Sequence, residues 1–265
     1  MVKIAAFDFD GTLYHRRADG THSFNRPDLD AIRAWREAGH LAIAATGRSR
    51  SALAFAMPPD DALTFDYRVL SNGASATTGD DAQLIFAYPI DTAILYAAVE
   101  EFGATEGVAV FGTTVGPVDG AFSRGTAASA QFTDQFTDHF SRMTPADIPD
   151  HTFAVVPIRV ADPALRPRVV AWAQQFPQVT VAQNMDYVDI MAHGRNKGAG
   201  IAELLDILGI KREDTELYTF GDSWNDLDMH AAADMSFSFP HSPDDVRAAT
   251  THVIEAVADV LTELR

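Results

Sequence analysis

Short apolar blocks alternate with amphipathic stretches at both ends of the chain, and the texture changes between them. Residues 3–7, "KIAAF", form a strand-sized run that ends in "DFDG". A polar loop carrying "HRRADGTHSFN" follows. Pro27 then opens a helix that puts Leu29, Ile32 and Trp35 on one face and stops at Gly39. "HLAIAAT" predicts a second strand, ending at Thr46-Gly47-Arg48, and a short helix runs from there to about Met57, where Pro58-Pro59 breaks it. "YRVLSNG" predicts a third strand, ending at Asn72-Gly73.

From about residue 79 the pattern differs. "IDTAILYAAVEEFG" reads as a helix, "GVAVFG" as a strand, and 112–130 as a loop rich in Gly, Ala, Thr and Ser. "QFTDQFTDHF" spaces Phe132, Phe136 and Phe140 four apart, as on a helix burying an aromatic stripe. A strand at 153–160, a helix near 163–175 and a strand pair near 178–192 complete a small α+β unit. The first texture then returns. "NKGAGIAELLDILGI" aligns Ile201, Leu204, Leu205 and Leu208, and "ELYTFGDSWNDLDM" reads as strand, acidic loop and helix start. The expected organisation is an α/β core of 1–78 plus 193–265, interrupted by an α+β domain of 79–192.

Composition narrows the function. At 47% hydrophobic and 22% charged residues the chain has the balance of a folded soluble protein. Its apolar runs are too short to span a bilayer, and "MVKIAAFDFD" lacks the features of a secretory leader, so a cytoplasmic location is expected. With no cysteine there are no disulfides, thiolate metal sites or cysteine nucleophiles. A net charge of −17 argues against broad binding to nucleic acid or anionic membrane. An anionic substrate would need local cations to hold it against that field.

Three predicted strands end in polar signatures: Asp8-Phe9-Asp10, Thr46-Gly47-Arg48 and Gly221-Asp222. Ligands of open parallel sheets bind outside the carboxyl ends of the strands, so parallel packing would bring these segments to one edge. Two carboxylates about 4 Å apart repel by roughly 4 kcal/mol at an effective dielectric near 20. Solvent, protonation or a cation must offset that repulsion at Asp8 and Asp10. Lys197 stands at a helix start, where the macrodipole disfavours a cation. It is either an exposed lysine or one that faces a bound anion. "GDSWNDLD" packs Asp222, Asp226 and Asp228 into seven residues; one could cap a helix, but Mg²⁺ held by carboxylates and phosphate oxygens explains the excess.

As a set, these segments resemble the four motifs of the haloacid dehalogenase superfamily. "FDFDGTL" is similar to the first, "AATGR" to the second, the lysine of "NKGAGI" to the third and "GDSWNDLDM" to the fourth. The long insertion resembles the cap of the Cof-type group, most of whose members are phosphatases of small organic phosphates. The resemblance implies a Rossmann-like parallel-sheet core with an inserted α+β cap. It also implies Asp8 as the nucleophile that forms an aspartyl-phosphate and Asp10 as the acid and base. Mg²⁺ would be held by Asp8, the Asp10 main-chain carbonyl and Asp222. Thr46, the Gly47 amide, the Phe9 amide and Lys197 would hold the phosphoryl group, Asn225 would hydrogen-bond it or order the loop, and Asp226 would orient Lys197 or the metal's waters. Arg48, Asn72, Arg124 and the segment from Asn184 to Tyr187 are possible substrate contacts, although an outward salt bridge suits Arg48 as well and Asn72-Gly73 also suits a plain turn.

One stretch departs from the family. Where a small-residue "A-M-G-N-A"-like loop is usual, this chain has Phe239-Pro240-His241. No metal-ligand spacing links the nine histidines. The leading expectation is a Mg²⁺-dependent phosphatase of a small phosphorylated metabolite, working as a monomer or small homo-oligomer. A phosphomutase or phosphotransferase of the same fold, or a non-catalytic sugar-phosphate-binding module, are the alternatives.

Overall fold

A computed structural model describes residues 2–17, 19–58, 62–122, 139–184 and 186–265. In chain order its elements are β1 (Val2–Phe7), β2 (Tyr14–Arg16), β3 (His22–Phe24), α1 (Arg26–Glu37), β4 (Leu41–Ala45), α2 (Arg50–Ala56), β5 (Tyr67–Leu70), β6 (Ser75–Thr78) and β7 (Leu84–Ala87). Next come α3 (Thr92–Phe102), β8 (Val108–Thr114), β9 (Gly120–Ala121), β10 (Ser141–Arg142), β11 (Phe153–Val160), α4 (Arg166–Ala173), β12 (Val179–Asn184) and β13 (Tyr187–Ala192). The chain ends with α5 (Lys197–Ile207), β14 (Thr215–Phe220), α6 (Leu227–Ala231), β15 (Met235–Ser238), α7 (Asp244–Ala249), β16 (His252–Val253) and α8 (Val257–Leu264).

These elements group into two units, one of residues 1–47, 57–86 and 196–265, the other of 48–56 and 87–195. The first holds an α/β sheet of eight strands in the order β16-β15-β14-β1-β4-β5-β6-β7. From β16 to β5 every pairing is parallel; β6 joins β5 antiparallel. Sequence reading puts the change of texture at residue 79, and the sheet itself continues through β6 and β7.

The near-continuous burial of β1 follows from having both sheet faces covered. On one face Ile4, Ala6, Ile43, Val69 and Leu217 pack against Ile201, Leu204 and Leu205 of α5. Burial of each of those α5 side chains contributes roughly 1.5–3 kcal/mol. Along the other direction the Phe7, Phe220 and Phe237 rings stack across neighbouring strands, with centroids 5.0 and 4.8 Å apart. Helix α1 buries Leu29, Ile32 and Trp35 as its periodicity predicts, and its Asp28 carboxylate accepts from the Ala258 amide at 2.8 Å, tying it to α8.

In the second unit the sheet order is β10-β9-β8-β11-β13-β12, with β8, β11, β13 and β12 antiparallel in turn. Ile94, Leu95 and Phe102 of α3 and Val169 and Ala173 of α4 cover it. The 153–160 strand and the 178–192 pair stand where the pattern predicts them.

Two segments expected to be loops carry structure. "HRRADGTHSFN" contains the β2–β3 hairpin, held by Tyr14 and Phe24 packing on the Phe9 ring. Those two aromatics are spread among polar residues, so the apolar signal was too dilute to read as strands. Within 112–130, β8 extends to Thr114 and β9 covers Gly120–Ala121. Phe140 is buried against Phe111; Phe132 and Phe136, like Arg124, lie outside the described residues.

Candidate active site

Strands β14, β1 and β4 are neighbours and parallel, with Phe7 level with Phe220 on one side and Ala44 on the other. Their carboxyl ends therefore deliver Gly221-Asp222, Asp8-Phe9-Asp10 and Thr46-Gly47 to a single edge. Backbone bonds fix the exits: Asp8 N–H donates to Phe220 O at 2.8 Å, and Thr46 N–H to Val69 O at 2.9 Å.

Lys197 is the first residue of α5, whose N-cap Asn196 accepts from the Ala199 amide. It is fully buried, which removes the exposed-lysine reading. Its ammonium donates to Asp8 Oδ1 at 2.5 Å and to Asp226 Oδ1 at 2.6 Å. The second Asp226 oxygen accepts from the Ser223 amide at 2.9 Å, so both its oxygens are engaged in orienting the lysine and the loop.

One carboxylate oxygen from each of Asp8, Asp222 and Asp226 lies within 4.8 Å of the others. Three carboxylates against one ammonium leave two negative charges, the deficit that one divalent cation cancels. Asp222 Oδ1 is buried without a hydrogen-bond partner, a costly state for a carboxylate oxygen. All the donors are hard oxygens, the set that Mg²⁺ favours, so the residues fit such an ion.

Protonation follows from the crowding. Burial pushes the Asp8 carboxyl well above the usual carboxylate range; Lys197 opposes this, while Asp226, Asp222 and Asp10 add to it. Burial, with Asp226 and Asp10 nearby, pushes Asp222 up to about 7. For Lys197 burial works against the charge, yet Asp226 and Asp8 outweigh it and the ammonium holds its proton more tightly than usual.

The residues expected to hold a phosphoryl group also gather in the first unit. Thr46 is buried, and its carbonyl accepts from the Asn72 amide at 3.0 Å. Asn72 has a positive φ of 52°, and its Oδ1 accepts from Asn225 Nδ2 at 3.1 Å. A Cβ on Gly47 would sit 3.2 Å from that same oxygen, so the loops after β4 and β5 and the acidic loop meet at Asn72. Phe9 buries its ring, and its carbonyl accepts from the Leu13 and Tyr14 amides. Asp10 is half-buried and bridges to Tyr14.

Arg48 is placed differently. It belongs to the second unit, buried, and its guanidinium donates to the Ala52 carbonyl at 2.9 Å. Nearby in that unit the Asp119 carboxylate accepts from the Ser49 and Ser51 hydroxyls and the Thr114 amide. Tyr187 lies over Phe111. Two histidines passed over in the sequence stand at this edge. His230 is buried, with Nδ1 2.8 Å from Thr219 Oγ1, and burial lowers its pKa. His241 places Nε2 3.0 Å from the Gly11 carbonyl; the Phe-Pro-His departure was the signal that could have found it.

A profile of the haloacid dehalogenase-like hydrolases matches residues 5–260. The chain belongs to that family. Solved structures of other haloacid dehalogenase-like proteins share the fold at low identity. One is a subclass IIB sugar phosphatase, 20% identical over 99% of this chain and 98% of its own, with a TM-score of 0.78. A haloacid dehalogenase-like hydrolase from B. subtilis is 17% identical over 99% of both chains, with a TM-score of 0.82. A phosphatase of the superfamily from Bacteroides thetaiotaomicron is 19% identical over 100% of this chain and 94% of its own, with a TM-score of 0.79. No curated protein matches the sequence. Among the described residues of this haloacid dehalogenase-like chain, no helix is long and apolar enough to cross a membrane.

Proposed function

We propose that this protein is a Mg²⁺-dependent phosphatase that hydrolyses a small phosphorylated metabolite, of the sugar phosphate kind, through an aspartyl-phosphate on Asp8. The observation that carries the reading is the buried Lys197 ammonium joined to Asp8 and Asp226, with Asp222 close enough to share a cation with them. Membership of the family and the likeness to sugar phosphatase folds support it.

The metal would be held by Asp8, Asp222 and the Asp10 main-chain carbonyl. When bound, it offsets repulsion between carboxylate and substrate oxygens and stabilises transition-state charge. In the first half-reaction an Asp8 carboxylate oxygen forms a bond to phosphorus while the ester P–O bond breaks, and Asp10 gives its proton to the leaving oxygen. In the second, water attacks phosphorus and Asp10 takes up its proton. The bond from phosphorus to Asp8 breaks, releasing inorganic phosphate and restoring both carboxyls. Thr46, the Gly47 and Phe9 amides, Asn225 and Lys197 hold the phosphoryl oxygens, with Lys197 supplying positive charge against the field of a chain of net −17. Asp226 fixes the lysine.

The deciding experiment is a broad panel of phosphate esters assayed with and without Mg²⁺, with the Asp8→Asn protein as blank. Phosphate released only by the parent protein in the presence of metal supports the reading. Phosphate passed to an acceptor alcohol makes the protein a phosphotransferase, and binding without turnover makes it a sensor.

A further inference from the structure

The loop after β15 has no role in the mechanism above, yet it touches the metal side of the site. His241 Nε2 lies 3.0 Å from Gly11 O, and since a carbonyl only accepts, this nitrogen carries the proton and donates. The same nitrogen is 3.7 Å from Asp222 Oδ2, too far for a hydrogen bond but within contact of the carboxylate.

Gly11 is the hinge of this arrangement. Its φ is +84°, and a Cβ there would fall 2.4 Å from Asp222 Oδ2. The Gly11 backbone is thus packed directly on the Asp222 carboxylate, and its N–H is already committed to Tyr14 O at 3.0 Å. Its carbonyl is the remaining handle, and the His241 ring holds it. The peptide on the other side of Gly11 is the one whose carbonyl belongs to Asp10.

The turn that carries His241 is braced. Ser242 N–H donates to Phe239 O at 2.9 Å, and Phe239 N–H to Ser242 Oγ at 3.1 Å. The Arg247 guanidinium donates to Pro240 O at 2.7 Å and to Ser242 O at 3.0 Å. Buried Phe239 stacks on the imidazole, with centroids 5.4 Å apart and planes at 17°. The half-exposed imidazole thus has a ring of its own loop on one side and the Gly11 carbonyl at Nε2.

We propose that His241 is a positioning residue for the cation site: through the Gly11 carbonyl it fixes the backbone on which the Asp222 carboxylate rests and from which the Asp10 carbonyl projects. The inference rests on the metal-site reading given above. Groups that orient metal ligands change metal affinity by about 10–100-fold when removed.

The test is calorimetric titration of Mg²⁺ into the metal-free, substrate-free protein at one fixed pH, with Mn²⁺ binding by electron paramagnetic resonance as a second readout. Parent protein, Asp222→Asn, His241→Ala and His241→Gln are compared. Expected are loss of binding in Asp222→Asn, weakening of about 10-fold or more in His241→Ala, and partial recovery in His241→Gln, whose amide can still donate to Gly11 O. Affinity in His241→Ala within twofold of the parent, while Asp222→Asn abolishes binding, overturns the role of His241 and leaves the metal site standing. Equal weakening in the Ala and Gln proteins also overturns it, because donation to Gly11 is then not what matters. Failure of the parent to bind either ion overturns both readings. Should His241→Ala not fold, His241→Gln and His241→Asn carry the comparison.

Discussion

Lys197 Nζ lies 2.6 Å from Asp226 Oδ1, and neither side chain reaches solvent. Removing one member of a buried ion pair strands the other, at a cost of about 3–5 kcal/mol. Lys197→Ala leaves Asp226 and Asp8 without their shared cation, so destabilisation of that size is expected in urea unfolding of the metal-free protein. Mg²⁺ should recover part of it. At saturating Mg²⁺ the same variant should bind vanadate at least about 10-fold more weakly, the loss of one charge-assisted contact. Unchanged vanadate affinity in a folded Lys197→Ala protein would show that the ammonium serves the carboxylates alone.

Asp8→Asn is expected to separate chemistry from folding. Burial and three neighbouring carboxyls already favour the uncharged form of Asp8. A neutral amide of the same shape therefore relieves repulsion while giving up the attraction of Lys197. In EDTA the melting temperature should stay close to that of the parent. Phosphate release should fall by at least about 10³-fold, as when a covalent nucleophile is removed. Hydrolysis by Asp8→Asn at anything near the parental rate would remove the covalent step.

The elevated Asp222 gives a signed pH dependence. Its folded-state pKa is about 7 against an ordinary 3.8, so the folded protein binds that proton more tightly than the unfolded chain. The stability gained is full below the ordinary value and is lost as pH rises through about 7. His15, His40 and His230 are shifted down and act oppositely, their contribution rising with pH until just above 6.5. In EDTA the melting temperature of the parent, taken as a difference from Asp222→Asn so that the histidines cancel, should thus fall from about pH 4 to 7 and level off above that. Saturating Mg²⁺ should raise the parent's melting temperature more at pH 8.5, because the ion need not displace a proton there. A difference that stays flat across the lower window without metal would mean that Asp222 is already ionised.

Most of the core was legible because its signals are local. The strands β1, β4 and β14 each read as an apolar run with a polar end, and parallel packing alone carries their ends to one edge. Leu29, Ile32 and Trp35, and Ile201, Leu204 and Leu205, announced their helices by period. What could not be read depends on contacts between distant residues. The β2–β3 hairpin needs Phe9 beneath Tyr14 and Phe24. His241 reaches Gly11 across 230 residues, with no spacing rule to connect them. Arg48 follows Gly47 directly in sequence, yet its contacts group it with the second unit. Adjacency along the chain was a poor guide there, because the Arg48 guanidinium is spent on the Ala52 carbonyl.

Asn72 offers the sharpest choice between a turn residue and a site residue. With φ at +52° its backbone is left-handed, a conformation that costs most L-residues roughly 1–2 kcal/mol and that Asn tolerates. Its Oδ1 also accepts from Asn225 Nδ2, beside Gly47. Asn72→Ala loses on both counts and should be the least stable of the Asn72 variants, by about 2–4 kcal/mol from strain plus a stranded donor. Asn72→Gly relieves the strain and isolates the lost amide. Asn72→Asp keeps the acceptor for Asn225 but sets a negative charge beside the proposed phosphate position. Its unfolding midpoint should therefore stay near the parental one while KM for a phosphate ester rises about 10-fold or more. If Asn72→Asp binds and turns over the ester like the parent, the residue shapes a turn and the phosphoryl group lies elsewhere along the edge.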